Sequence, residues 1–305
     1  MDWSDFSKTL SESLNQTIQI KTVHSVSGGD IHQAYRLHTS IGHLFLKINH
    51  AAALPLFTTE ARSLNTIQDS NSMLCPKVLG FGLHNEQAWL VLEHLALSHQ
   101  GDDYQRGRDL AFMHHQLNLD PKTNAPPPQP FGWFEDNFIG HTVQRNRWHG
   151  DWVRFYGEER LRPQLELAQL RGANRTLFEM GNELIENLPF WFKSYQPEAS
   201  LLHGDLWGGN SAFTDQGEAI IFDPACYYGD RETDIAMTEL FGGFSPRFYD
   251  GYNALFPLDG GYQKRKPLYN LYHVLNHFNL FGGHYAQQAE QIIQSLLQQT
   301  SASSK

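Results

Sequence analysis

Three oxygen-bearing side chains in the C-terminal half, Asp205, Asn210 and Asp223, have types and a spacing that could do chemistry. Asn210 follows Asp205 by five positions in the segment HGDLWGGN, and Asp223 ends the apolar run AIIFD. Carboxylate and amide oxygens are ligands that Mg²⁺ prefers, and a carboxylate without metal can take a proton from a hydroxyl. An Asp, an Asn five positions later and a second Asp beyond a short hairpin together indicate phosphoryl transfer.

Phosphoryl transfer needs the charge on the phosphates neutralised and the acceptor hydroxyl held in line, with little covalent help from the protein. On this hypothesis Asp205 is the catalytic base, and Asn210 and Asp223 hold Mg²⁺. An H-x-D turn by itself arises by chance more often than by function. The combination of Asn210, the hairpin SAFTDQGEAIIFD and the Asp at its end favours the functional interpretation.

Lys47 lies in the strand-like run HLFLKIN and is the candidate for holding the α- and β-phosphates of ATP. A charged residue inside an apolar strand needs a partner, and Glu60 in the following helical segment can supply it. The alternative is that Lys47 is the ordinary polar position of a half-buried strand. Because Asp205 and Asp223 are also present, we prefer the nucleotide role.

Two further segments are candidates for binding ATP. Gly28 and Gly29 separate two strand-like runs and would let backbone amides approach phosphates closely, although paired glycines also occur in ordinary hairpins. The segment VLEHL would be a hinge between lobes, where the backbone of Glu93, His94 and Leu95 can hydrogen-bond an adenine. A buried strand end would have the same sequence pattern, so this segment leaves both interpretations open.

The first 95 residues contain the elements that must position these groups. Trp3, Phe6 and Leu10 recur at helical spacing and predict a short opening helix. Five strand-like runs follow, and a helical pattern at about 56–67 lies between the third and the fourth. We therefore predict an N-terminal ATP-binding lobe, residues 1–95, built from a five-stranded antiparallel sheet with an inserted helix.

Strand signals nearly vanish after about Ala96, and helical patterns dominate the remainder of the chain. These patterns occupy residues 150–170, 174–188, 230–241, 263–281 and 285–299. The prolines of PKTNAPPPQPFGWF predict a loop, because consecutive prolines fit neither a helix interior nor a central strand. We predict a larger, mostly helical C-terminal lobe, residues 96–305, that carries catalysis and substrate binding in an α+β fold.

The composition excludes several classes of protein. A net charge of −10 argues against a nucleic-acid partner, which would require a basic surface. No apolar run is long enough to span a membrane, and the first residues do not resemble a signal peptide. Cys75 and Cys226 cannot form a disulfide framework, so the expected location is a reducing cytoplasm. We expect a monomer with a small-molecule substrate.

The sequence resembles the fructosamine (ketosamine) kinase family, relatives of the aminoglycoside phosphotransferases and choline kinases. The resemblance covers nearly the whole chain and rests on the segments GGDIHQAYRL, LFLKIN, FGWFEDNFIGHTVQRNRWHGDW, HGDLWGGN, FDPACYYGDRETDIAM and LYHVLNHFNLFGG. The discriminating forms are HGDLW and DPACYYGDRE. The resemblance implies a two-lobed protein-kinase-like fold, with ATP and Mg²⁺ as cofactors and a ketosamine or other glycated amine as the substrate.

The family's activity is transfer of the γ-phosphate to the 3-hydroxyl of the sugar in a ketosamine, which makes the adduct labile and releases the amine. The resemblance implies a structural role for His203 and for Asp234, which would anchor the catalytic loop. Trp207 is a candidate to face the sugar ring, with a core position as the alternative. His277 and Asn137 are further pocket candidates.

One departure from the family pattern concerns the glycine-rich loop, where eukaryotic members often carry a redox-sensitive cysteine. This chain has Asp30 at that place, so we expect an activity that is insensitive to mild oxidation. Two alternatives stay open: a small-molecule kinase for an aminoglycoside, amino alcohol or free sugar, and a non-catalytic kinase-like module. The intact set Lys47, Asp205, Asn210 and Asp223 argues against the second alternative.

Overall fold

The structure, a computed structural model, describes residues 2–26, 32–119 and 126–302. The chain forms two compact units. The first comprises Met1–Asp102 and Ser211–Pro224, and the second comprises Asp103–Asn210 and Ala225–Lys305. Within the described residues, none of the helices combines the length and apolar character needed to cross a membrane.

A five-stranded antiparallel sheet in the order β1-β2-β3-β5-β4 forms the first unit. Its strands are β1 (Ile20–Val26), β2 (Gln33–Thr39), β3 (Gly42–His50), β4 (Val78–His84) and β5 (Gln87–Glu93). The predicted turn between β4 and β5 is present, and Asn85 adopts the left-handed conformation there (φ 51°). The α+β class and the predicted sheet of the N-terminal region are therefore confirmed.

Two helices pack on this sheet. Helix α1 (Trp3–Ser13) buries Phe6 and Leu10, one turn apart, against the apolar face of the sheet. Helix α2 (Leu54–Asp69) follows β3 through a single helical turn (Ala51–Ala53) and buries the face that includes Phe57 and Leu64. Helix α2 also carries Glu60, so its packing brings that carboxylate to β3.

A second, three-stranded sheet completes the first unit. It has the order β11-β10-β6, with β6 (Leu97–Ser98), β10 (Ser211–Thr214) and β11 (Ala219–Ile221). Residues 211–224 were predicted to belong to the C-terminal lobe. In the structure this hairpin groups with the first unit, because β10 pairs with β6 and Leu74 bridges to Ile220.

Helices dominate the second unit. They are α3 (Asp103–His114), α4 (Trp152–Phe155), α5 (Arg162–Leu170), α6 (Arg175–Asn187), α7 (Glu232–Leu240), α8 (Pro246–Leu255), α9 (Tyr262–Phe281) and α10 (Tyr285–Ala302). A π-helical segment, Tyr156–Leu161, joins α4 to α5 without a break. The five helical patterns predicted from the sequence all correspond to helices, whereas α3 and α8 were not predicted.

Short paired strands flank the loops of the second unit. The hairpin β7 (Asn137–Ile139) and β8 (Thr142–Gln144) lies in the aromatic-rich segment that follows the proline loop. Strand β9 (Ser200–Leu202), which leads into the HGDLWGGN segment, pairs with β12 (Tyr227–Gly229). This pairing holds the start of the candidate catalytic loop beside the YYG run that precedes α7.

Candidate active site

In the first unit, Lys47 forms ion pairs with two carboxylates. Its Nζ lies 2.7 Å from Glu60 Oε1 and 2.5 Å from Asp223 Oδ1. Strand β3 lies between β2 and β5 and is buried on both faces at this point, so Lys47 could not remain there without partners. The partner expected in Glu60 is present, and Asp223 is a second one.

The charged state of Lys47 follows from these contacts. Burial by itself lowers the pKa of this ammonium, but the carboxylates of Asp223 and Glu60 outweigh that effect and raise the pKa above its ordinary value. Lys47 is therefore a fixed positive charge at neutral pH. A lysine ammonium is a common phosphate ligand, and here two carboxylates share it.

Asp223 has a backbone conformation that few residues adopt. Its φ of 59° lies in the left-handed region, where Asp and Asn are the least disfavoured residues after Gly. Its side chain is half exposed, at 50 %, although one oxygen accepts a hydrogen bond from Lys47. The strained backbone thus presents a carboxylate that is anchored on one side and accessible on the other.

In the second unit, backbone and side-chain hydrogen bonds hold the HGDLWGGN loop. The carboxylate of Asp234, on α7, accepts from the backbone N–H of His203 (2.7 Å) and of Gly204 (2.9 Å). His203 Nδ1 in turn accepts from the N–H of Asp205 at 3.2 Å. Asp234 and His203 thus hold three successive backbone amides of this loop.

His114, on α3, is the buried partner of Asp234 that the sequence analysis missed. Its Nε2 lies 3.2 Å from Asp234 Oδ2, and its Nδ1 lies 2.7 Å from the hydroxyl of Tyr252. Burial favours the neutral acid, but the hydrogen bonds from His114 and from the loop lower the pKa of Asp234. Asp234 is therefore an ionised anchor for the loop amides.

Gly204 fixes the path of the loop next to Ala225. Its φ is +84°, and a Cβ atom there would lie 2.1 Å from the carbonyl oxygen of Ala225. The N–H of Ala225 donates to the carbonyl of His203 at 2.8 Å, so the two segments are hydrogen-bonded at the same place. Only glycine combines this backbone conformation with so close an approach.

Asp205 and Asn210 meet at the end of the loop. The Nδ2 of Asn210 donates to the backbone carbonyl of Asp205 at 2.9 Å and lies 3.3 Å from its Oδ2. Asn210 is buried, so these bonds orient its amide and leave Oδ1 as its oxygen for a cation. The side chain of Asp205 is 24 % exposed and can reach a bound molecule.

Trp207 and His277 belong to an exposed aromatic surface in the same unit. Trp207 is 40 % exposed, which excludes the core position considered for it. Its ring lies edge-on to Phe241 at 6.4 Å, and Phe241 lies 4.8 Å from the ring of His277. Phe281 and Tyr285 extend this surface beyond His277.

The structure corrects the expectation that Asn137 lines a substrate pocket. Its side chain is buried, and its Nδ2 donates to the carbonyl of Cys226 at 2.8 Å. Its Oδ1 accepts from Gln144 (2.9 Å) and from Asn146 (2.8 Å). Asn137 therefore belongs to an internal amide network that holds the segment after Pro224. Its amide is used in this network and not in the ligand contact that the sequence suggested.

Of the residues expected to bind ATP, some lie outside the described residues and others lie at the end of strand β5. Gly28 and Gly29 lie outside the described residues, as does Asp30. The N–H of Glu93 donates to the carbonyl of Lys77 at 2.9 Å, which removes that amide from the groups expected to meet an adenine. His94 and Leu95 follow the end of β5, so their backbone remains the candidate.

Comparisons with known proteins agree with this geometry. The model of the fructosamine kinase family matches residues 2–299 of the chain. A probable ketoamine kinase of Vibrio cholerae is 41 % identical over 298 residues, which cover 97 % of this chain and 99 % of that protein. A chloroplastic protein-ribulosamine 3-kinase of Arabidopsis thaliana is 38 % identical over 286 residues, covering 93 % and 85 %.

Solved structures give the same assignment. A candidate fructosamine-3-kinase from Haemophilus somnus superposes with a TM-score of 0.85 at 28 % identity, covering 97 % of each chain. The aminoglycoside phosphotransferase APH(4)-Ia shares the fold alone, with a TM-score of 0.59 at 16 % identity over 95 % of this chain and 98 % of that one. The chain therefore belongs to the fructosamine kinase family, and it is an ATP-dependent kinase that phosphorylates a hydroxyl group.

Proposed function

We propose that the chain phosphorylates the 3-hydroxyl of the sugar in a ketosamine such as a fructosamine or a ribulosamine, with Asp205 as the general base. The observation that carries this proposal is an accessible carboxylate, Asp205, on a loop whose flanking amides are fixed by Asp234. The names of the Vibrio cholerae and Arabidopsis thaliana relatives support the ketosamine class of acceptor.

In the proposed step, the acceptor hydroxyl oxygen attacks the γ-phosphorus of ATP while the bond from that phosphorus to the β-phosphate oxygen breaks. The hydroxyl proton moves to the carboxylate of Asp205, and ADP leaves with the electron pair. Lys47, held by Glu60 and Asp223, supplies a fixed positive charge for the phosphates.

The residues present fit Mg²⁺, which when bound would neutralise charge on the phosphates. Asp223 offers a half-exposed carboxylate. Asn210 offers its side-chain oxygen Oδ1, because its hydrogen bonds to Asp205 use Nδ2. One carboxylate and one amide suffice because Mg²⁺ keeps several waters. We assign these two residues as its protein ligands.

The aromatic surface around Trp207 suits the amine end of a ketosamine. A secondary amine carries a positive charge at neutral pH, and cations bind favourably over the faces of exposed aromatic rings. Trp207 and Phe241 provide such faces, and the sugar ring offers apolar C–H groups to the same surface. We propose this surface as the acceptor side of the site, in a cytoplasmic, monomeric enzyme.

The test is ADP release from ATP and Mg²⁺ with fructosyl-lysine, ribulosyl-lysine, an aminoglycoside, choline and free sugars as acceptors. We expect release with the two ketosamines. Asp205→Asn should lower kcat by roughly 10²–10⁴-fold, the usual contribution of a general base, while ATP binding persists. Asp215→Asn, at an exposed carboxylate in the β10–β11 turn, is the matched control and should be active.

The outcomes separate the claims. Full activity of Asp205→Asn would contradict its assignment as the base. ADP release with the aminoglycoside or choline, and none with either ketosamine, would leave the phosphoryl-transfer chemistry standing and refute the acceptor class.

A further inference from the structure

His273, on α9, points at the proposed base from inside the protein. The residue is 4 % exposed, and its Nδ1 is buried with no hydrogen-bond partner among the described residues. That atom lies 3.9 Å from Oδ1 of Asp205. Buried polar atoms are nearly always paired, so an unpaired nitrogen directed at a carboxylate requires an explanation.

Contacts on both sides of His273 hold helix α9 at this place. Its neighbour Tyr272 donates to Oε1 of Gln144 at 2.8 Å, and one turn later His277 donates from Nδ1 to the carbonyl of His273 at 2.8 Å. The helix therefore cannot easily carry the ring away from Asp205.

The protonation state of His273 follows from its surroundings. Burial lowers the pKa of His273 to about 3, and the nearby charges of His277 and Arg160 act in the same direction, against that of Asp234. Asp205 also faces the ring, across the 3.9 Å gap. A neutral imidazole carries one proton, and with that proton on Nδ1 the ring is a donor towards Asp205.

We propose that His273 is a positioning residue for Asp205, donating from Nδ1 to Oδ1 when the acceptor is bound. A gap of 3.9 Å is too long for a hydrogen bond, but catalytic hydrogen bonds are often long without substrate and shorten in the complex. With Oδ1 held by His273 and Oδ2 near the amide of Asn210, the carboxylate has one orientation towards the acceptor hydroxyl. The inference rests on the proposed role of Asp205 as the base.

Three substitutions at one position test the proposal. In His273→Asn the amide nitrogen takes the place of Nδ1, in His273→Gln it reaches the place of Nε2, and His273→Leu has no donor. We expect Leu and Gln to lower kcat by roughly 10- to 100-fold, the worth of one hydrogen bond to a charged group, with KM for ATP within about twofold. His273→Asn should recover most of kcat. Thermal unfolding and ATP binding establish that each variant is folded.

A double substitution separates this inference from the proposed function. If His273 acts through Asp205, the Leu substitution should lower the residual kcat of Asp205→Asn by less than about twofold. Equal losses in both backgrounds, or a His273→Asn variant as slow as His273→Leu, would overturn the positioning role. An active Asp205→Asn variant would instead refute the base itself. If His273→Leu does not fold, the kcat values of His273→Asn and His273→Gln still test the positioning role. A His273→Asn variant as slow as His273→Gln would overturn it.

Discussion

The charges of Lys47 and its two carboxylate partners do not cancel. When all three groups are ionised, the ammonium and the carboxylates of Glu60 and Asp223 sum to one net negative charge. Such a cluster would repel a polyphosphate by itself. With a divalent cation on Asp223 the sum becomes positive, so phosphate binding and Mg²⁺ binding should depend on each other.

Removing the ammonium tests this balance at the scale of a single residue. In Lys47→Met the largely buried carboxylate of Glu60 loses its ammonium partner, and Asp223 loses the same ion pair. We expect KM for ATP to rise by roughly tenfold or more, the worth of a lost charge-assisted hydrogen bond, together with a lower melting temperature. Steady-state kinetics with varied ATP measure the first effect. Lys21→Met, at an exposed lysine of β1, should match the parent protein.

At the scale of an element, the catalytic loop depends on a close backbone approach. Gly204 and Gly217 have nearly the same φ, +84° and +83°. A Cβ on Gly204 would meet the carbonyl oxygen of Ala225 at 2.1 Å, whereas the nearest atom to a Cβ on Gly217 is 3.8 Å away. Alanine substitutions at the two glycines therefore distinguish the effect of the left-handed backbone, which they share, from the effect of the steric clash, which occurs only at Gly204.

We expect Gly217→Ala to lower the free energy of unfolding by roughly 1–2 kcal/mol, since its backbone conformation is strained. Its activity should be unchanged. Gly204→Ala carries the same strain and must also displace the loop from Ala225. Its kcat should fall by roughly 10²-fold, the effect of misplacing a catalytic group by about 1 Å. Equal kcat values for the two variants, measured alongside urea unfolding, would exclude the close approach as the reason for glycine at 204.

At the scale of the whole molecule, buried neutral histidines link the free energy of unfolding to pH. Burial lowers the pKa of His273 to about 3 and also lowers that of His114, whereas both titrate near 6.5 in an unfolded chain. Between the folded and unfolded values the unfolded state binds more protons. The stability conferred by the neutral rings is therefore present above about pH 6.5 and is lost as the pH falls below it.

Urea unfolding at about pH 7.5 and about pH 5.5 checks this linkage. His273 alone should cost on the order of 1 kcal/mol between these values, because each pH unit below the unfolded pKa adds about 1.4 kcal/mol. His273→Asn cannot titrate, so its stability should depend less steeply on pH. If the substitution left the pH dependence of the free energy of unfolding unchanged, His273 would already be charged in the folded protein.

The two cysteines predict the response of the whole molecule to oxidants. Cys75 and Cys226 are buried thiols that form no disulfide, and burial raises the pKa of Cys75 to about 12. The thiolate is the form that oxidises, so Cys75 should react slowly, and burial shields Cys226 from oxidants. We expect kcat to be unchanged after mild oxidation followed by assay without reductant. An activity that falls and then returns on adding a thiol would contradict this expectation.

The sequence by itself determined the local parts of this protein. Asp205 and Asn210 are five positions apart on one loop, so their proximity follows from chain connectivity alone. The alternation of apolar residues predicted the five strands, and the helical repeat predicted α9 at 263–281 against the observed Tyr262–Phe281. In each case the signal lies within a few neighbouring residues.

Only the tertiary structure decided which distant side chains meet. His114 and His273 are ordinary helix residues in the sequence, and they face Asp234 and Asp205 because helices far apart in the chain pack together. Asn137 was predicted to contact substrate and is instead buried against the carbonyl of Cys226. The direction and burial of a side chain depend on how the amphipathic faces of remote segments pack, which is not specified by any local pattern.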